Sequence, residues 1–119
     1  MTIRRLKTYT GNTGYVYQYY FVGKRTIPQT GDLPSSEYVF DVTSDRKHTY
    51  SVSIFLSPAV LSEWAARHGR ALTDAEQYAA VKMRLFQAFD EIDDLARHGR
   101  ELVVDATALT IALATLGVD

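Results

Sequence analysis

The chain contains no cysteine in 119 residues, which excludes disulfide frameworks, thiolate metal sites, thiol nucleophiles and redox switching together. It also lacks a long apolar run. The most apolar stretch, 102–118, is interrupted by Asp105 and by four threonine or glycine positions, and falls short of the roughly 20 apolar residues that a spanning helix needs. After Met1 the chain turns polar and aromatic at once, without the apolar core of a signal peptide. The expectation is a cytoplasmic protein with no membrane partner. Acids are missing from one end: residues 1–30 carry Arg4, Arg5, Lys7, Lys24 and Arg25 and no acid, a charge of +5. The other 89 residues carry eight bases against 14 acids, a charge of −6. Such asymmetry either creates a basic and an acidic face, favouring a polyanion or head-to-tail association, or is ordinary solvated surface.

What is present suits a globular domain. A 46% hydrophobic and 23% charged composition is near the average for folded proteins, and 119 residues suffice for one core without metals or disulfides. Residues 2–27 read as a β-hairpin, with runs rich in Thr, Tyr and Val on either side of Gly11-Asn12-Thr13-Gly14, whose glycines and asparagine tolerate positive φ. Alternation puts Tyr15, Tyr17, Tyr19 and Phe21 on one side of the second strand and Val16, Gln18, Tyr20 and Val22 on the other. With both sides largely apolar, an interior strand is expected. Residues 28–36 hold two prolines with Gly, Ser and Asp and read as a surface loop. A second hairpin follows, Tyr38, Phe40 and Val42 alternating on one strand and Tyr50, Val52, Ile54 and Leu56 on the next, joined through 44–48.

At Ser57-Pro58 the period changes, because serine caps free amides and proline is at home in a first helical turn. That helix is expected to end at Arg67-His68-Gly69. Thr73-Asp74-Ala75-Glu76 is a capping box, and Tyr78, Val81, Leu85, Phe89 and Ile92 then form one helical stripe that should cover the sheet and run to Arg97-His98-Gly99. Residues 102–104 suggest a short strand or extended lead-in, and the Asp105/Gly117 bracket a final helix. The fold class expected is α+β: a mainly antiparallel four-stranded sheet from two sequential hairpins, then two or three helices on one face.

Three constellations carry functional weight. The heptapeptides Ala66-Arg67-His68-Gly69-Arg70-Ala71-Leu72 and Ala96-Arg97-His98-Gly99-Arg100-Glu101-Leu102 place His68 and His98 in matching surroundings. They read as glycine caps with nearby cations, or as phosphate, metal or proton-transfer groups. Asp90, Glu91, Asp93 and Asp94 give oxygen density but match no metal signature, and read as a solvated helical face. The row Tyr15, Tyr17, Tyr19 and Phe21 beside Arg4, Arg5, Lys7, Lys24 and Arg25 is either a sheet core or a surface for a partner or unpaired bases. No phosphate-binding loop, nucleophile elbow, zinc motif or catalytic triad spacing occurs, so no catalytic residue, cofactor or metal is assigned. The leading expectation is a non-enzymatic interaction protein, partnered by itself as a homo-oligomer or by another protein. A single-stranded nucleic-acid binder using the aromatic and basic row comes second, and a small enzyme using His68 and His98 third.

Overall fold

Alternating aromatic and β-branched residues build four strands in succession, β1 (Lys7–Thr10), β2 (Val16–Gln29), β3 (Asp32–Thr43) and β4 (Tyr50–Leu56), each antiparallel to the one before. This computed structural model describes residues 6–12, 14–29, 32–92 and 94–118. The helices α1 (Pro58–His68), α2 (Asp74–Glu91) and α3 (Leu95–His98) then lead to β5 (Glu101–Val104), which joins the edge of the sheet parallel to β4, and α4 (Ala106–Leu116) closes the described chain. The class is α+β. The sheet has five strands in the order 1-2-3-4-5, one more than expected, because Leu102-Val103-Val104 is recruited as a full strand.

The surface loop expected over 28–36 is instead an arm of the sheet. β2 and β3 stay paired out to Gln29 and Asp32, well past Leu56, where β4 stops at Ser36. Proline did not end the strands for a positional reason: Pro28 lies in an irregularity between Ile27 and Gln29, and Pro34 lies where β3 has outrun β4. At neither place does a missing N–H need to cost a ladder bond. β2 has a strand on both sides only at Gln18 and Tyr19, where its pairing with β1 overlaps its pairing with β3.

Register and burial agree on the sheet's two sides. Tyr17, Tyr19, Phe40, Tyr38, Val42, Val52, Ile54, Leu56, Leu102 and Val104 are buried on one, together with Val81, Leu85 and Phe89 of α2, Trp64 of α1, and Leu109 and Leu113 of α4. Aromatic stacking ties β1 and β2 to α2: Tyr17 on Phe89 with centroids 4.3 Å apart, and Tyr9 on Phe86 at 4.5 Å. Each such pair adds about 0.5–1.5 kcal/mol beyond the area it buries.

The helix boundaries follow their caps. Ser57 Oγ accepts from Val60 N, and the Thr73 hydroxyl and Glu76 carboxylate satisfy each other's backbone amides. Asp105 Oδ1 accepts from Ala108 N at 2.7 Å, and Gly69 and Gly117 end α1 and α4 in the left-handed region at φ 73° and 75°. The long helix, in contrast, stops at Glu91 and does not reach Arg97-His98-Gly99. Ile92 turns extended at φ −106°, and α3 starts afresh. The stop falls beside Asp90, whose carboxylate takes Tyr9 Oη–H at 2.8 Å and Asn12 N–H at 2.9 Å and ties the end of α2 to the first hairpin. Among the described residues of that hairpin only Gly14 has positive φ; Gly11 is needed for closeness, because a Cβ there would stand 2.8 Å from Phe89 O.

Candidate functional site: the open face of the sheet

With the helices on one side, β1 through β5 turn a second set of side chains outward. β3 contributes Glu37, Val39 and Asp41; β4 contributes Ser51, Ser53 and Phe55 directly opposite them in register. β2 adds Gln18, Tyr20 and Arg25, and β5 adds Glu101 and Val103. Every acid near the centre is held. Asp41 receives Tyr20 Oη–H at 2.8 Å and Ser51 Oγ–H at 3.1 Å. Glu37, 4% exposed, pairs with Arg25, and the Arg25 guanidinium and then the Ser53 hydroxyl hold its carboxyl below the ordinary value. Glu37 is thus offset by a cation, while Asp41, among the described residues, is held by hydroxyl donors alone.

Between them the face is hollow. Gly23 sits opposite Val39, and a Cβ at Gly23 would meet nothing within 4 Å. A depression of about 450 Å³ lies there, lined by Val22, Gly23, Arg25, Val39, Ser51 and Ser53. A second, of about 500 Å³, shares Ser51 and Ser53 and continues to Arg97, His98, Arg100 and Glu101. Together they form a groove across the strands with arginines at both ends. Arg100 is anchored there, its Nε–H donating to Ser51 O at 3.1 Å.

The residues singled out in the sequence are divided by this geometry. Tyr17 and Tyr19 are 2% and 4% exposed beneath α2, so on one copy of the chain neither ring meets a base or a partner. Phe21 packs partly against the same core, Tyr15 stands 54% exposed beyond it, and Lys24 reaches back over the Tyr38 ring at 5.3 Å. Lys7 lies on the covered side across from Tyr19, Arg25 lies on the open side, and Arg4 and Arg5 fall outside the described residues. The rings on the open face are the half-buried Tyr20, on the alternate positions of the same strand, and Phe55 of β4; of the groove residues, Arg100 stood in the sequence only within the second heptapeptide, and Ser51 and Ser53 were not singled out. The outward direction of Ser51 and Ser53 was legible from the alternation with Val52 and Ile54.

The paired heptapeptides do not converge, and among the described residues no contact joins His68 to His98. The His68 ring stacks on Trp64 at 4.1 Å and its Nδ1–H donates to Trp64 O, while Arg70 spans the Trp64 ring and the Glu76 carboxylate. His98 instead borders the groove. The acidic run is likewise dispersed: Asp90 faces the first hairpin, Asp94 faces Arg97 at 3.8 Å, and Asp93 is outside the described residues. Among the described residues no three His, Asp or Glu side chains come together to hold a metal, and no helix is long and apolar enough to cross a membrane. Comparison with protein-family models, with curated proteins and with solved structures finds no match to this chain.

Proposed function

We propose that this protein is a non-enzymatic interaction protein that works as a homo-oligomer, two copies meeting through the open faces of their sheets. One observation carries the reading: the sheet is covered on one side only, and its edges are closed to strand addition while its free face is not. β1 and β5 have four residues each, and Arg84 of α2 donates to Val103 O on the outer rim of β5. The free rim of β2 is broken by irregularities at Val22 and Pro28 and carries Lys24 and Arg25. Short, bulged and cationic edges resist pairing with another chain. The face, in contrast, exposes Val16, Val22 and Val103 at 45%, 37% and 60% around the half-buried Val39 and Phe55.

Area favours a second copy. Strands of 4, 14, 12, 7 and 4 residues span a face of about 650 Å² at ~3.3 Å per residue and ~4.8 Å between strands, so two faces in contact bury at most about 1,300 Å², above the ~1,000 Å² that specific association needs. Sheets packed face to face lie about 10 Å apart, and the groove would hold interfacial water between Ser51, Ser53 and the arginines.

Sedimentation equilibrium at micromolar concentration tests this. A dimer is expected for the natural chain and a monomer for Val39→Lys with Val103→Lys, both fully folded by circular dichroism. A natural chain that stays monomeric throughout the range refutes self-association. Salt-sensitive retention of an unpaired oligonucleotide by such a monomer would give the face to nucleic acid instead.

A further inference from the structure

Away from the open face, a hollow lies between α2 and α4. On α4, Ala108, Ile111, Ala112 and Thr115 recur at three- and four-residue spacing and share one stripe, which meets Met83, Arg84 and Gln87 of α2. Where the small alanines stand the two helices do not close, and a cavity of about 170 Å³ remains between them. Its wall is mostly apolar: Met83 and Ala108 pack partly against the core, Ala112 is buried, and Ile111 forms a rim that is 62% exposed. Arg84 is the one charged residue of this lining among the described residues. Its Nε–H donates to Val103 O at 3.1 Å, which anchors the guanidinium, and among the described residues no carboxylate pairs with it. The other polar side chains of the lining turn to acceptors on their own helices, Thr115 Oγ1–H to Ile111 O at 2.9 Å and the Gln87 amide to Glu91 at 3.4 Å.

We propose that this hollow binds a small monocarboxylate with a compact apolar body, the body held between α2 and α4 and the carboxylate on Arg84. An apolar cavity of about 150 Å³ accepts one benzene molecule, so this one suits a body of about six carbons. Removing that body from water is favourable, yet burial alone would select any oil of the right size. The arginine supplies the selection. Anchored through Nε, it keeps its terminal N–H donors, whose planar fork matches the two oxygens of a carboxylate. The lining shares no residue with the open-face groove, so ligand binding and self-association stand or fall separately.

Titration with sodium hexanoate and with sodium benzoate, against sodium chloride at matched ionic strength, tests the proposal through methyl resonances. Saturable shifts are expected at Met83, Ala108 and Ile111 at millimolar or lower concentration, as suits a ligand of fewer than about ten non-hydrogen atoms. Hexanamide, the neutral counterpart, should bind at least about tenfold more weakly, and so should hexanoate to Arg84→Met, because each change removes the charge-assisted pair. Ala108→Leu fills the hollow and should abolish binding while leaving the circular dichroism spectrum unchanged. Binding of one carboxylate and not the other supports the site and sets the shape of the body it takes. Absence of saturable shifts with both carboxylates, equal binding of hexanamide, or undiminished binding by the folded Ala108→Leu variant overturns it.

Discussion

Two glycines in near-identical heptapeptides stand where they do for different reasons. Gly69 caps α1 in the left-handed region, and nothing lies within 4 Å of where its Cβ would be. Gly99 has φ −134°, open to any residue, but a Cβ there would approach Leu95 Cδ1 to 2.2 Å. Gly69→Ala is therefore expected to cost about 1 kcal/mol, the left-handed penalty. Gly99→Ala should cost less where the Leu95 side chain swings aside. Gly11→Ala should exceed both, at about 1–3 kcal/mol, because its obstacle is the Phe89 backbone carbonyl and not a mobile methyl. Urea unfolding of the three variants ranks them. At the same scale, Glu76 is held down to about 2, first by the Arg70 guanidinium and then by the Thr73 amide, against an ordinary 4.5. Its stabilising effect is complete above pH 4.5 and disappears as pH falls through about 2. Glu76→Gln should thus melt below the natural chain at pH 7 and alongside it near pH 2.

At the scale of elements, what could be read from sequence was whatever is decided locally. The capping box at Thr73, the Ser57-Pro58 start and the Asp105/Gly117 bracket each depend on side chains a turn away from the amides they satisfy, and each stands as expected. The strand phases were legible too, so Val52, Ile54 and Leu56 point inward. The features hidden from sequence depend on partners far along the chain. Whether Pro28 ends a strand turns on the ladder's register with β3, and the end of the long helix is tied to a hairpin nearly eighty residues earlier. The candidate site was half legible for the same cause. Alternation separates the rings of β2 into two sets, but only the position of α2 says which set it covers. Asp90→Ala isolates that long-range joint. It loses bonds from Tyr9 and Asn12, each to a charged acceptor, while relieving an acid at the unfavourable end of α2. The two bonds, at about 1.5–3 kcal/mol each, outweigh the dipole relief of about 0.3–1 kcal/mol. A net loss of about 2–5 kcal/mol is expected by thermal unfolding, with the first hairpin gaining the most in amide hydrogen exchange.

For the molecule as a whole, the order of elements along the chain has a temporal side. The antiparallel meander is complete at Leu56, yet the helix that shelters Tyr17, Tyr19 and Phe40 ends only at Glu91, and the last strand arrives at Glu101. At about 5–20 residues per second on the ribosome, several seconds pass in which a four-stranded meander, still without its fifth strand, shows its aromatic side to the cell. A chain stopped at residue 72 reproduces that interval and should pellet on centrifugation where the full chain stays in the supernatant. The nascent protein is thus most in need of chaperones between its fourth strand and its second helix, and synonymous codons that slow translation there should lower its yield.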